Sequence, residues 1–267
     1  MWKASTPDRP WVPGARPQLS EPFTIERLVP IMDQAGVDRV VIVPPTLEGE
    51  RLDYAQEAVK RYPGRFAIMG RIALNDPTTA RRFPTWREQA GVLGIRLNIA
   101  VDQAAWLTDG TADWFWPAAE KAGSPVMFLT TGQTHQFARI AERHPQLVLI
   151  VDHMGVSSEA MRNKLLAAAI DQSVALAKYP NVSVKLSSAP LFSSEPYPFR
   201  DVTAHIRRLF DAYGARRCYW GTDMTNSFAK ATYSQRIAHF TEELDFLSED
   251  DKDWIMGRAI VTRLAWT

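Results

Sequence analysis

The segment Val148-Leu-Ile-Val-Asp-His153-Met-Gly155 decides the fold of this 267-residue chain, together with Cys218-Tyr-Trp-Gly-Thr-Asp223. Each segment is a short apolar run that ends in an ionisable side chain and is followed by loop sequence. An unpaired Asp is costly inside a buried strand, so we expect Asp223 at a strand end or in a polar contact. Parallel α/β barrels place catalytic side chains at the C-terminal ends of their strands, and both segments have this form.

Outward from these segments, the chain alternates between helical and extended patterns. The first helix is predicted over residues 24–35, with apolar residues on one face, and residues 159–178 predict one long helix. Each of seven predicted strands follows a helix. The strands are predicted over residues 39–43, 66–71, 91–98, 125–130, 147–151, 182–186 and 217–223.

This alternation predicts the α/β class, and the length fits a TIM-type (β/α)₈ barrel formed as a single domain over residues 1–267. The first of the eight strands is missing from the prediction, because residues 1–23 have a loop-like, proline-containing sequence. A doubly wound open sheet is the alternative, but no Gly-x-Gly-x-x-Gly follows any predicted strand.

Composition narrows the class of partner. Apolar residues make up 46% and charged residues 23%, and the formal net charge is +1. This balance argues against nucleic acid or an anionic membrane as the main partner and favours a small-molecule substrate. The lone Cys218 and the polar start of the chain predict a cytoplasmic protein without a signal peptide. The oligomeric state is left open.

Five ionisable residues at predicted strand ends are candidates for a site. Asp223 could take a proton from water, and His153 could polarise a carbonyl group. Arg96 could bind a substrate carboxylate in bidentate fashion, with Arg71 and Lys185 as further candidates. Such a set suits an anionic substrate that is attacked by water.

Each candidate also has a structural interpretation. Asp223 could cap the segment that follows it, His153 could be a hydrogen-bonded core residue, and Arg96 could belong to a structural ion pair. Strand periodicity alone does not fix the facing of Lys185 and Arg71. The remaining histidines fall on predicted helices or their ends and are interpreted as surface residues: His135, His144, His205 and His239.

As a set, six motifs in the chain resemble the amidohydrolase-related proteins of the amidohydrolase superfamily, in the branch of the 2-pyrone-4,6-dicarboxylate lactonases. The motifs are Met32-Asp-Gln-Ala-Gly-Val-Asp-Arg39, Gly94-Ile-Arg96, Val151-Asp-His153-Met-Gly155, Val184-Lys-Leu-Ser187, Trp220-Gly-Thr-Asp223 and Met256-Gly-Arg258. The resemblance implies a distorted TIM barrel with its active site at the C-terminal face. It also implies hydrolase chemistry in which the Asp after the last strand activates water.

One departure from the family concerns metal binding. The family opens with a strand that ends in His-x-His, whereas this chain has no His before His135. We expect that Met1 is an internal methionine and that the motif lies upstream, the alternative being a natural variant with a degenerate site. A chain that begins at Met1 should be poorly stable or should use its N-terminal segment as a substitute. Zinc normally takes at least three protein ligands, so this chain should bind divalent metal weakly or not at all.

The sequence therefore predicts a hydrolase of a small carboxylated lactone or related cyclic ester, without a cofactor unless an upstream His-x-His supplies a zinc site. Asp223 would be the general base, His153 would orient the scissile carbonyl, and Arg96, Arg71 and Lys185 would bind substrate. A zinc-dependent decarboxylase of the same superfamily is the second interpretation. A catalytically inactive barrel that binds an acidic metabolite is the third.

Overall fold

Seven strands alternate with helices in the computed structural model, which describes all residues from 1 to 267. The strands are β1 (Val40–Ile42), β2 (Phe66–Arg71), β3 (Val92–Ile99), β4 (Val126–Thr130), β5 (Leu149–Val151), β6 (Val182–Leu186) and β7 (Cys218–Trp220). The helices are α1 (Ile25–Gln34), α2 (Asp53–Arg61), α3 (Pro77–Arg82), α4 (Phe115–Lys121), α5 (Phe137–Arg143), α6 (Ser158–Arg162), α7 (Leu166–Ala175), α8 (Ala189–Phe192), α9 (Arg200–Tyr213), α10 (Tyr233–Ala238), α11 (Glu249–Asp253) and α12 (Ala259–Leu264). The predicted number and order of strands is confirmed, and no strand precedes α1.

The first of two units comprises Met1–Arg96 with Thr267. Its strands run parallel: Val40 of β1 pairs with Phe66 of β2, and β2 pairs with β3. The chain enters this unit through a segment without a sheet strand. Trp2 lies buried against Phe23 and donates its backbone N–H to the Phe23 carbonyl at 2.9 Å. The N-terminal segment is thus packed as loop, and it does not replace a strand.

The second unit comprises Leu97–Trp266 and contains the parallel strands β4 to β7. Val151 at the end of β5 pairs with Val184 of β6, and Leu186 at the end of β6 pairs with Trp220 of β7. The apolar side chains of β5 are fully buried, as the continuous run of branched residues predicts for a parallel sheet. This register brings the segments that follow β5, β6 and β7 to one edge of the sheet.

The single helix predicted over residues 159–178 is wrong. The structure divides this region into α6 and α7, because Lys164 adopts a left-handed conformation with φ of 56°. Asn163 and Lys164 end the first helix, and α7 restarts at Leu166. Periodic apolar residues continue across the break, so periodicity alone did not reveal it.

The helices are short. The longest, α9, has 14 residues. No helix in the structure combines the length and the apolar character that a membrane crossing requires.

Candidate active site

Three consecutive strand ends of the second unit bring a histidine, two serines and an aspartate together. His153 follows β5, Ser187 and Ser188 follow β6, and Asp223 follows β7. The Nδ1 atom of His153 lies 2.7 Å from Ser187 Oγ and 2.9 Å from Ser188 Oγ. The Ser188 hydroxyl donates to Asp223 Oδ2 at 2.7 Å. The two residues predicted to be catalytic therefore belong to one hydrogen-bonded cluster.

The backbone of this cluster is held in an uncommon conformation. His153, Ser188 and Asp223 have φ angles of 48°, 71° and 46°, in the left-handed region that non-glycine residues rarely adopt. Each such residue costs about 1–3 kcal/mol and persists only where the surrounding structure fixes it. Residues of this kind concentrate at functional sites, so their occurrence at three adjacent strand ends supports a site here.

Asp152 fixes the orientation of the His153 ring from the opposite side. Its Oδ2 atom lies 3.3 Å from His153 Nε2, and its Oδ1 atom accepts the His153 backbone N–H at 3.0 Å. Asp152 is fully buried and forms an ion pair with the Lys185 ammonium group. A carboxylate acceptor at Nε2 stabilises a proton on that nitrogen, which leaves Nδ1 to face the serine hydroxyls.

The carboxylate of Asp223 has two hydrogen-bond donors. Asn226 Nδ2 donates to Oδ1 at 2.7 Å, and Ser188 donates to Oδ2. The side chain makes no hydrogen bond that caps the following helical turn, so the interpretation of Asp223 as a cap is not supported. Its relative exposure is 13%, which leaves the carboxylate partly accessible.

Arg236, which the sequence reasoning missed, is buried beneath the segment that follows Asp223. Its guanidinium group donates to the Ser227 hydroxyl at 2.9 Å and to the Ser227, Ala231 and Thr222 carbonyl oxygens. Burial lowers the pKa of Arg236 to about 10, and the negative charge of Asp223 opposes this shift. The sequence contained a signal for this residue, since Arg236 stands three residues after Tyr233 and four residues before Phe240 at helical spacing.

The three predicted substrate-binding residues lie in different parts of the structure. Lys185 is paired with Asp152, and its ammonium group also donates to Met127 Sδ at 3.7 Å. Arg71 and Arg96 are partners in the register between β2 and β3 in the first unit. Arg71 Nε donates to the Pro44 carbonyl at 2.9 Å, and Arg96 is buried. Their role in substrate binding stays a prediction.

His239 contradicts its interpretation as a surface residue. Its side chain is buried between the rings of Phe199 and Phe240, and no hydrogen-bond partner reaches its Nε2 atom. Burial lowers the pKa of His239 to about 4, so the ring is neutral at pH 7. Helical position alone did not predict this, because His239 lies where the helix passes from α10 into a π-helical turn.

The family resemblance implies a metal, but the donor atoms of the chain do not form a site for one. No group of three His, Cys, Asp or Glu side chains is arranged to hold a metal ion. Within the cluster, Asp152 is already engaged by Lys185, and the hydroxyl of Ser188 lies between His153 and Asp223. The residues present do not fit a tightly held divalent metal, and no chemical step is derived through one.

Comparison with known proteins identifies lactone hydrolases as relatives. L-fucono-1,5-lactonase of Burkholderia ambifaria is 26% identical over 241 residues, which cover 84% of this chain and 77% of the relative. 4-sulfomuconolactone hydrolase of Hydrogenophaga intermedia is 27% identical over 213 residues, which cover 76% of this chain and 65% of the relative. The chain thus spans just under two thirds of the second relative's length.

A crystal structure confirms the fold class. The structure of a probable 2-pyrone-4,6-dicarboxylic acid hydrolase from Acinetobacter baumannii, with citric acid bound, matches this chain with a TM-score of 0.79. The match covers 98% of this chain and 96% of the other at 17% sequence identity. At this identity the likeness shows the fold alone, which is the predicted TIM-type α/β class with one strand fewer than eight.

The family follows from a sequence model rather than from structural likeness. The model described as amidohydrolase matches residues 2–259, which is nearly the whole chain. The match includes the segments with His153, Lys185 and Asp223. The chain therefore belongs to the amidohydrolase family, as its motifs predicted.

Proposed function

We propose that the protein hydrolyses a small carboxylated lactone or a related cyclic ester. The observation that carries this proposal is the hydrogen-bonded cluster of His153, Ser188 and Asp223 at adjacent strand ends. It joins an acceptor for a water proton to an imidazole whose orientation is fixed. These are the groups that water-mediated acyl transfer needs.

Asp223 acts as the general base. Its carboxylate is partly accessible, and Asn226 and Ser188 hold its two oxygen atoms in place. A water molecule that donates to this carboxylate loses a proton to it as the water oxygen bonds to the lactone carbonyl carbon. The ring C–O bond then breaks, and the departing oxygen takes up the proton, which completes hydrolysis.

His153 is proposed to orient the substrate beside Asp223. Its two ring nitrogens are engaged by Asp152 and by the serine hydroxyls, so polarisation of the carbonyl group by a ring N–H is not proposed. The buried Asp152 keeps a proton on Nε2 and supports positive charge on the ring, and the Lys185 ammonium group balances the charge of Asp152. Lys185 is therefore a structural partner of Asp152 in this structure. Arg96 and Arg71 remain the residues proposed to bind substrate carboxylates, on sequence grounds.

The relatives support the substrate class. Two are named for lactone hydrolysis, and one of their substrates, a sulfomuconolactone, is anionic. The solved structure with citric acid belongs to a probable hydrolase of a pyrone dicarboxylate. The zinc-dependent decarboxylase needs a metal-ligand set that the described residues do not form, so no observation favours it here.

A lactone panel tests the proposal. The purified protein is assayed in the presence of a chelator with L-fucono-1,5-lactone, 4-sulfomuconolactone and 2-pyrone-4,6-dicarboxylate, and hydrolysis is followed by acid release. We expect turnover of at least one carboxylated or sulfonated lactone, with a lower kcat/KM for the uncharged sugar lactone. Binding of the anionic lactones without turnover would instead support the inactive barrel.

A further inference from the structure

The hydroxyl group of Ser188 forms a bridge between the two proposed catalytic side chains. His153 Nδ1 and Asp223 Oδ2 are 4.0 Å apart, which is too far for a direct hydrogen bond. Ser188 Oγ lies 2.9 Å from the nitrogen and 2.7 Å from the oxygen. Any proton that moves between the two groups over this distance has a route through Ser188.

The number of protons available in the cluster determines the direction of each hydrogen bond. Ser188 has one hydroxyl proton, which it donates to Asp223. Its lone pairs can accept a hydrogen bond from His153 Nδ1 once that nitrogen has received a proton. Ser187 also contacts Nδ1, at 2.7 Å, but makes no hydrogen bond to Asp223. Ser187 therefore serves as a matched control for Ser188, because it contacts His153 Nδ1 but does not contact Asp223.

The charged groups around the bridge can stabilise a proton that His153 receives. Asp152 from the end of β5 faces Nε2, and Asp223 from the end of β7 lies beyond Nδ1. On the other elements packed here, Lys185 of β6 pairs with Asp152, and Arg236 of α10 interacts with Asp223. An imidazolium ring would thus lie between two carboxylates, of which Asp152 is paired with Lys185 and Asp223 interacts with Arg236.

Burial of Ser188 excludes a role as the nucleophile. Its exposure is 1%, so its hydroxyl cannot reach a substrate carbonyl as a nucleophile. The Ser188 backbone is left-handed, with φ of 71° and ψ of 13°, and its hydroxyl contacts both His153 and Asp223. Holding a serine in this conformation is costly, which suggests that the hydroxyl is needed where it lies.

We propose that Ser188 is a positioning residue that relays a proton between Asp223 and His153 during lactone hydrolysis. The inference rests on the proposed function. After Asp223 has taken the proton of the attacking water, it passes a proton to Ser188 Oγ while the original Ser188 proton moves to His153 Nδ1. Asp223 becomes a carboxylate again and His153 an imidazolium ion. The reverse transfer returns the proton through Asp223 to the ring oxygen when the C–O bond breaks.

Kinetics of serine variants test the relay. Ser188→Gly removes the hydroxyl and accepts the left-handed backbone, Ser188→Ala removes it alone, and Ser187→Ala is the matched control. We expect both Ser188 variants to lower kcat by about 100-fold with little change in KM, which is the lower end of the range for general acid–base effects. The dependence of kcat on the D₂O fraction should be curved for the wild type and Ser187→Ala and linear for the Ser188 variants. An unchanged kcat in Ser188→Gly would overturn the relay, as would equal behaviour of the Ser187 and Ser188 variants.

A measurement that needs no turnover separates failure of the relay from failure of the proposed function. Imidazole ¹⁵N spectra are recorded for wild type, Asp223→Asn, Ser188→Gly and the double variant. We expect Asp223→Asn to move the His153 Nδ1 resonance in the wild-type background and to move it by less than half as much in Ser188→Gly. Equal shifts in both backgrounds would overturn the relay even if no lactone were hydrolysed.

Discussion

At the residue scale, His239 makes stability depend on pH. Its pKa is about 4 in the folded protein, against an ordinary value of 6.5. Burial of the neutral ring therefore contributes stability that is fully present above pH 6.5 and is lost as the pH falls towards 4. The difference corresponds to about 3 kcal/mol across this window. We expect His239→Leu to reduce the fall in unfolding free energy between these pH values, measured by urea denaturation.

The exposed His135 provides the control for this prediction. His135→Gln should leave the pH dependence as it is in the wild type, because its ring is not buried. If His239→Leu and the wild type lost the same unfolding free energy between pH 6.5 and pH 4, burial of His239 would not be the cause.

Residue types and positions in the sequence were sufficient to select His153 and Asp223, because each ends an apolar run. They were not sufficient for Ser188 and Asn226, whose hydroxyl and amide groups are common in loops and acquire a role only through three-dimensional contact. The pairing of Lys185 with Asp152 could not be predicted from the sequence either, because it depends on the facing of side chains on two neighbouring strands.

At the element scale, the break between α6 and α7 can be tested at Lys164. Its φ of 56° is strained for any residue with a side chain, and glycine relieves that strain. We expect Lys164→Gly to raise the unfolding free energy by about 1 kcal/mol. The neighbouring Asn163, with φ of −89°, is the matched control, and Asn163→Gly should not stabilise the protein. Stabilisation by both variants, or by neither, would contradict the assigned strain.

The ion pair between Asp152 and Lys185 links the end of β5 to β6 in the second unit. Breaking one side of a buried pair leaves an uncompensated charge, and we expect Lys185→Met to lower the unfolding free energy by about 3–5 kcal/mol. Asp152→Asn combined with Lys185→Met should recover a large part of this loss, because neither charge then remains. Purely additive losses in this double-mutant cycle would contradict the pairing.

Strands were easier to predict from the sequence than helix ends. The structure places β2 and β6 over the same residues as the sequence pattern. By contrast, the sequence around residues 77–89 predicts one helix, whereas the structure ends α3 at Arg82 and continues as a 3₁₀ segment from Phe83. The second half of the predicted helix contains Pro84, whose missing N–H weakens an α-helix, and the periodic pattern did not register this.

At the scale of the whole molecule, the scarcity of metal ligands predicts how the protein responds to zinc. No three acidic, histidine or cysteine side chains are arranged so that they could hold one metal ion. After incubation with zinc and gel filtration, we expect well under one equivalent of metal per chain, measured by atomic emission. Retention of one equivalent, lost in His153→Ala, would contradict this expectation and favour a metal-dependent reaction.

The measurement that tests the proposed chemistry most directly is the kcat of Asp223→Asn on whichever lactone the panel identifies, in the presence of a chelator. Asparagine preserves the size of the side chain and tolerates the left-handed backbone, while it removes the proton acceptor. We predict a loss of kcat of about 10²- to 10⁴-fold with KM changed far less, in a variant whose thermal unfolding matches the wild type. A kcat within about threefold of the wild type would contradict the role of Asp223 as the base, because so small a loss lies far below the effect of removing a general base.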